Sequence, residues 1–173
     1  MTRQENKIEF NFNRLKANEV ILFLSNKDKG ISKMRLLKFL FFADLYHLQK
    51  YGRPIVGDRY VAMIKGPVLS EVYNMIKHSR KDYEVEENII FPKREADLNE
   101  FSKSDIEALE YAFNQYSQYT TEELSNLTHK EKCWINAINR EPKSKNSKIL
   151  WEDMIDDPEI LYDLRENSRI MVI

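Results

Sequence analysis

Apolar residues recur at helical spacing in the first part of the chain. Ala17, Val20, Ile21 and Leu24 fall on one face of a helix, and this periodicity predicts a first helix that ends before Gly30. Upstream of that helix, apolar and polar residues alternate, which is a weak signal for a short strand containing Ile8, Phe10 and Phe12.

The most apolar run, MRLLKFLFFADLYHLQKY, lies between Ser32 and Gly52. Serine is a favoured helix N-cap and glycine is favoured just past a helix, so these residues predict the two ends of a central helix. Apolar side chains occupy almost its whole circumference, and such a helix is buried on nearly all sides. At about 20 residues, it would be about 30 Å long.

Two short segments after this helix favour extended structure, Ile55–Val56 and Tyr60–Ile64, because they are rich in residues that occur in strands. Gly66-Pro67 then predicts the start of a helix that reaches about His78, since proline is favoured at the first helical position. Residues 83–92, YEVEENIIFP, favour a small hairpin or an irregular connector.

Short helices are predicted further along by three sequences that resemble capping boxes: Ser104–Glu107, Thr120–Glu123 and Thr128–Glu131. Asp157-Pro158 predicts the start of a last helix. The pattern as a whole therefore predicts a mainly α fold: a compact helical domain around a central buried helix, with a small β-hairpin or short strands. Residues 141–173 are expected to form a C-terminal extension with a short helix.

Charge and composition narrow the class of protein. The 173 residues carry 27 basic and 28 acidic side chains, a net charge of −1, whereas a domain that binds duplex nucleic acid usually has a basic excess. The single cysteine, Cys133, excludes an internal disulfide and fits a reducing cytoplasm. No apolar signal core precedes residue 8, and the longest apolar run is too polar to span a bilayer. We expect a soluble, cytoplasmic protein that binds neither membranes nor nucleic acid.

The histidines and the cysteine offer little catalytic or metal chemistry. None of the histidines lies in a recognisable nucleophile motif. His129 and Cys133 are four residues apart and could share a helix face, but a structural zinc site needs four ligands. The alternative is that Cys133 packs in the core beside Trp134. We expect no metal, no cofactor and no enzymatic activity.

The stretch Lys65-Gly66-Pro67 could bind an anion at a helix N-terminus. It lacks a glycine-rich loop, and proline removes one of the N–H donors, so a tight turn is the simpler interpretation.

Asp44 stands within the most apolar helix of the chain. A buried carboxylate must be paired or hydrogen-bonded, or it takes up a proton. Asp44 could bind a loop backbone, pair with a cation such as Arg53, Arg59 or Lys65, or lie exposed on a narrow polar strip with Lys38. A catalytic site that also includes His47 and Asp58 is a further alternative.

The stretch from Leu36 to Tyr73 resembles the signature of the SocA/GepA-like domain, also called the Panacea domain. That family has a central helix of the form L-K-L-(L/F)-Y-F-A-D-x-x-x-L. A segment of the form (Y/F)-G-x-P-(I/L)-x-G-(D/E)-x-(Y/F)-x-A-x-x-x-G-P-V follows, and then a helix with a tyrosine. The matching positions here are Leu36, Leu37, Phe39 to Asp44, Leu48, Tyr51, Gly52, Pro54, Gly57, Asp58, Tyr60, Ala62, Gly66, Pro67, Val68 and Tyr73.

The later part of the family pattern is shorter and looser. Leu127-Thr128-His129 and Trp134 match it, so the resemblance covers roughly residues 12–140, and a domain of residues 1–140 is implied. Phe41 departs from the pattern, because the family often has tyrosine there.

The resemblance implies an antitoxin of a toxin–antitoxin system, found in bacteria and phages, that neutralises a cognate protein toxin by direct binding. The alternative that the family suggests is an adaptor that delivers the toxin to a protease. Family members have no established catalytic residues. The motif is therefore expected to be a scaffold whose partner contacts lie elsewhere, and the apolar tail from Ile170 to Ile173 is a candidate contact. The scaffold residues would be Asp44, Gly52, Pro54, Gly57, Asp58, Tyr60, Gly66, Pro67, Val68, Tyr73, His129 and Trp134.

Overall fold

A computed structural model describes residues 7–170, with side chains up to residue 167. The α-helices are α1 (Arg14–Lys27), α2 (Lys33–Tyr51), α3 (Ser70–Met75), α4 (Lys103–Tyr116), α5 (Thr121–Thr128), α6 (Lys132–Arg140) and α7 (Pro158–Ile170). The strands are β1 (Ile31–Ser32), β2 (Tyr60–Met63), β3 (Gly66–Leu69), β4 (Tyr83–Glu86), β5 (Ile89–Pro92) and β6 (Ser147–Lys148). Two short 3₁₀ helices span Leu98–Glu100 and Trp151–Met154.

The central helix α2 begins and ends where the sequence predicts. The Ser32 side chain accepts a hydrogen bond from the Arg35 N–H, and Gly52 takes a left-handed conformation with φ of 75°. Residues 36–44 are fully buried against α1, α4, α5 and β3, so the prediction of a buried central helix is confirmed for most of its length. One strip near the C-terminal end is only half-buried or exposed: Leu45, Tyr46, Gln49 and Lys50.

The strands form two small antiparallel sheets of three strands each, in the orders β1-β5-β4 and β3-β2-β6. The predicted hairpin at residues 83–92 is confirmed as β4 and β5. Its turn residues, Glu87 and Asn88, both have positive φ, as a two-residue turn between twisted strands requires. In the second sheet, Tyr60 lies opposite Leu69 and Met63 lies opposite Gly66.

The prediction of a mainly α fold is wrong. The part of the chain that the structure describes is 54% helix and 12% strand, with two small antiparallel sheets, which makes it a helix-rich mixed α/β protein rather than a mainly α domain with a small hairpin or short strands. The extended segment predicted at Tyr60–Ile64 is confirmed as β2. β1, β3 and β6 were missed because each has only two to four residues, too few to show an alternating pattern. β1 and β6 are two-residue strands that exist only through pairing with distant segments.

Gly66-Pro67 does not start a helix, and this prediction is also wrong. Both residues belong to β3, and the helix begins at Ser70 and ends at Met75 rather than near His78. Proline's fixed φ suits an edge strand as well as a helix start, because an edge position needs no N–H donor. Since β3 is an edge of its sheet, pairing with β2 decides between the two structures.

Two of the three predicted capping boxes are misplaced. The box of Thr120 and Glu123 is confirmed, but α4 is capped by Ser102 with Asp105 rather than by Ser104. Thr128 ends α5 instead of capping α6, and its hydroxyl donates to the Ser125 carbonyl.

Two of the segments that were predicted to be extended are not strands. Residues 7–13 and Ile55–Val56 form no regular structure, although the Asn13 N–H donates to the Val56 carbonyl at 2.9 Å and holds the two segments together. A strand needs a row of such backbone hydrogen bonds, and residues 7–13 are not part of one. The strand predicted from the alternation of Ile8, Phe10 and Phe12 is therefore wrong.

Residues beyond 140 contribute to the same core as the helices. β6 pairs with β2, and Trp151, Met154 and Ile155 are buried. The division of the chain at residue 140 stays a prediction.

The predicted start of the last helix at Pro158 is confirmed, whereas the tail from Met171 to Ile173 lies outside the described residues. Within residues 7–170, we find no helix that is both long enough and apolar enough to cross a bilayer.

Candidate functional site

Asp44 is fully buried and joins α2 to the segment that follows it. Its carboxylate accepts hydrogen bonds from the Ile55 N–H at 2.7 Å and from the Tyr60 hydroxyl at 2.5 Å. Burial raises the pKa of Asp44 to about 7, and the two hydrogen bonds act against that rise. Of the alternatives open from the sequence, the structure therefore shows the loop-backbone tether rather than pairing with a cation.

Asp58 fixes the next element in the same way. Its two oxygens accept hydrogen bonds from the Glu71 N–H at 3.1 Å and the Val72 N–H at 2.8 Å. These are N–H groups of the first turn of α3, which has no side-chain cap of its own. Asp58 is thus a capping residue supplied from a distant part of the chain, and burial raises its pKa.

Replacing Asp58 with alanine is expected to lower the free energy of unfolding by about 1–2 kcal/mol, because the Glu71 and Val72 N–H groups of α3 lose their acceptor. Asp58→Asn is the matched control, since its amide oxygen still accepts one of the two bonds and should retain part of the stability. Urea denaturation of the three proteins measures the difference. Equal stability of Asp58→Ala and the unchanged protein would contradict the capping role.

The turn between β2 and β3 rests on a second buried group. Lys38 is fully buried in α2, and its ammonium donates to the Pro67 carbonyl at 3.2 Å. Burial lowers the pKa of Lys38 to about 8. A Cβ atom at Gly66 would lie 2.3 Å from the Thr128 hydroxyl oxygen and 2.7 Å from the Lys38 ammonium, so only glycine allows this approach. One alternative from the sequence was an exposed polar strip with Lys38, but Lys38 is buried beneath β3, a strand that the sequence did not predict.

The remaining motif residues make contacts other than those of Asp44, Asp58 and Lys38. The His129 ring stacks on Trp134 with 4.3 Å between ring centroids, and the Trp134 indole N–H donates to the Met63 carbonyl in β2. Pro54 and Val68 are buried in the core. Tyr73 lies apart on α3 with its ring against the Lys77 ammonium, 36% exposed.

The His129–Cys133 pair does not form part of a metal cluster. Cys133 is buried, and burial raises the pKa of its thiol to about 12, which disfavours the thiolate that a metal needs. The Nε2 atom of His129 is buried without a hydrogen-bond partner. In the described part of the chain, no three His, Cys, Asp or Glu side chains are placed to hold a metal ion.

Sequence reasoning missed a buried ionic cluster around Asp105, the residue that completes the α4 capping box. The Asp105 carboxylate lies 2.5 Å from the Lys16 ammonium and 3.0 Å from the Arg53 guanidinium. Burial alone would raise the pKa of Asp105, but Lys16 and the Ser102 N–H outweigh it and hold that pKa below the usual value. The spacing of Ser102 and Asp105 was the only local signal for this cluster.

The catalytic alternative required Asp44, His47 and Asp58 to act together. His47 instead bonds the Arg53 carbonyl at 2.7 Å and the Ser104 hydroxyl at 2.9 Å, and burial lowers its pKa. The two carboxylates bind backbone N–H groups of other segments. Within residues 7–167, the three side chains make no hydrogen bond to one another.

Comparison with known families identifies the domain to which this chain is similar. Residues 36–135, more than half of the chain, match the family described as antitoxin SocA-like, Panacea domain. The matched range includes the Asp44 and Asp58 tethers, the β2–β3 turn and the stacked pair of His129 and Trp134. No curated protein and no solved structure matches the chain.

Proposed function

This chain belongs to the SocA-like Panacea antitoxin family, and on that premise we propose that it neutralises a cognate protein toxin by binding it directly. Family membership indicates a role in a toxin–antitoxin system and a toxin partner in general terms. The family match is the main support for this proposal, and direct binding goes one step beyond what family membership indicates.

The geometry of the motif supports a binding role rather than catalysis. The carboxylates of Asp44 and Asp58 are buried, and each accepts two hydrogen bonds from its own chain that hold α2, the 55–60 segment and α3 together. A catalytic carboxylate would need to reach a substrate instead. We infer that the motif is a scaffold and that the surface around it contacts the toxin.

Co-expression with the product of the adjacent open reading frame tests this function. That product is expected to stop growth when it is expressed alone, and this protein is expected to restore growth and to co-elute with it in size-exclusion chromatography. An empty vector is the control. A neighbouring product that is harmless on its own, or rescue without a complex, would contradict the proposal.

Toxin abundance in the rescued cells separates direct neutralisation from delivery to a protease. Direct binding predicts that the toxin persists at its original half-life in a complex, whereas an adaptor shortens that half-life. Pulse-chase labelling of the toxin with and without this protein measures the difference. A shortened half-life would replace direct binding with the adaptor mechanism.

A further inference from the structure

The half-buried strip of α2 lies at the floor of an open cleft. Leu45, Tyr46 and Gln49 form the floor, next to the stretch of residues 36–44 that is fully buried. Tyr111 and Tyr116 of α4 form one wall, and the cleft has a volume of about 490 Å³. A volume of this order accommodates a large side chain of a partner protein.

Aromatic rings line the cleft in two stacked pairs. Tyr46 and Tyr111 stack with 4.2 Å between centroids, and Phe42 and Tyr116 stack with 4.0 Å between centroids. Aromatic faces carry negative electrostatic potential and attract cations. The Lys50 ammonium already lies 5.5 Å from the centroid of Tyr46 at the rim of the cleft.

Two carboxylates complete the lining, and one of them has no cation. Glu131 is half-buried just before α6, and in the part of the chain with described side chains its carboxylate makes no hydrogen bond or ion pair. Burial raises the pKa of Glu131, and the neighbouring Asp156 raises it further. Asp156 pairs with the exposed Lys132 at 3.3 Å, and Lys50 pairs with Glu107 at 2.8 Å. The cleft therefore contains one carboxyl group, that of Glu131, which pairs with no cation among the described side chains.

We propose that this cleft receives an arginine side chain of the toxin. The inference rests on the proposed function for the source of that side chain. A planar guanidinium can stack on the tyrosine rings and at the same time bind the Glu131 carboxylate in bidentate fashion. A lysine ammonium would satisfy the charge but would gain less from the rings.

Binding of N-acetyl-L-arginine amide to the purified protein tests the cleft without a toxin. We expect millimolar affinity in an NMR titration, with chemical-shift changes centred on Gln49, Tyr111 and Glu131. The neutral probe N-acetyl-L-norleucine amide should cause much smaller changes. The double variant E131Q/D156N should bind the arginine probe about tenfold more weakly, because it removes both carboxylate charges.

Two results of the titration would overturn the inference. One is an absence of shifts at cleft residues with the arginine probe, and the other is equal shifts with the neutral probe. Thermal unfolding of E131Q/D156N checks that the fold is retained, and the single variant Glu131→Gln replaces it if the double variant unfolds early.

Growth rescue tests whether the arginine comes from the toxin. Glu131→Lys should reduce the number of rescued colonies by about tenfold or more, since it fills the cleft with a repelling charge. Glu86→Lys, an exposed position on β4, makes the same change in net charge and should rescue normally. Equal rescue by both variants would contradict the proposal that the arginine belongs to the toxin. Failure of the unchanged protein to rescue would instead reject the proposed function, and the titration would still decide whether the cleft binds a guanidinium.

Discussion

Replacing Asp44 with alanine is expected to lower the free energy of unfolding by about 3–5 kcal/mol, a larger loss than we expect from the other substitutions in the motif. The change removes the acceptor for the Ile55 N–H and the Tyr60 hydroxyl, both of which are buried. Leaving a buried donor without a partner costs about 1–3 kcal/mol, and the lost carboxylate also leaves a cavity. Small domains have only about 5–15 kcal/mol of stability, so the variant would be close to unfolding at growth temperature.

Asp44→Asn is the matched control for this prediction. The amide oxygen can still accept from the Ile55 N–H, and the amide N–H₂ can donate to the Tyr60 hydroxyl oxygen, so both contacts survive. Urea denaturation should show a small loss for Asp44→Asn and the large loss for Asp44→Ala. Similar losses for the two variants would show that the charge matters more than the hydrogen bonds. Loss of growth rescue by a stably folded Asp44→Asn protein would favour the catalytic alternative.

The stability difference between the unchanged protein and Asp44→Asn is expected to depend on pH. The pKa of Asp44 is about 7 in the folded protein, above the value of about 4 expected in the unfolded chain. Between these values the folded state holds a proton that the unfolded state releases, so this residue's contribution to stability falls as pH rises from about 4 to about 7. Asp44→Asn lacks that contribution. Its stability relative to the unchanged protein should therefore increase over this pH range, and a constant difference would contradict the raised pKa.

The parts of the fold that depend on local chemistry could be predicted from the sequence. Ser32 and Gly52 set the ends of α2 through a side-chain cap and a left-handed residue, and both are local effects. The capping box of Thr120 and Glu123 is local as well. The central helix itself follows from the density of apolar residues, which leaves burial as the only favourable arrangement.

The predictions that were wrong concern structures that depend on contacts between residues far apart in sequence. Pro67 suits a helix start and an edge strand equally, and only its pairing with β2 settles the matter. Thr128 has the sequence context of a cap, yet its hydroxyl bonds the Ser125 carbonyl because α5 continues to that residue. The charged cleft could not be predicted either, because Tyr46, Tyr111 and Glu131 come from three segments that meet only in the folded protein.

In the candidate site, too, the local features could be predicted and the long-range contacts could not. The family motif identified Asp44 and Asp58, but one sequence could not show which backbone N–H groups they bind. Lys38 and Asp105 were missed because a single charged residue in an apolar or capping sequence does not indicate its partner. Their partners, the Pro67 carbonyl and the Lys16 ammonium, lie 29 and 89 positions away in the chain.

Gly57→Ala is the second substitution expected to have a large effect, with a loss of about 3 kcal/mol or more in the free energy of unfolding. Gly57 has φ of 76°, and an added Cβ atom would lie 2.3 Å from the Asn11 carbonyl oxygen. That oxygen belongs to the backbone of a segment fixed by the bond from the Asn13 N–H to the Val56 carbonyl, so no side-chain rotation relieves the clash. The substitution must displace residues 7–13 or distort the 55–60 segment that Asp44 holds.

Gly52→Ala is the control that separates backbone conformation from close approach. Gly52 has nearly the same φ, 75°, so both alanines carry a similar conformational cost of about 1 kcal/mol. At Gly52 the nearest atom to an added Cβ is a methyl carbon of Ile160 at 3.1 Å, and that side chain can move. Urea denaturation should therefore show a loss at least about 2 kcal/mol greater for Gly57→Ala than for Gly52→Ala. Equal losses would mean that residues 7–13 leave this position easily, and that the motif glycine serves only its own backbone conformation.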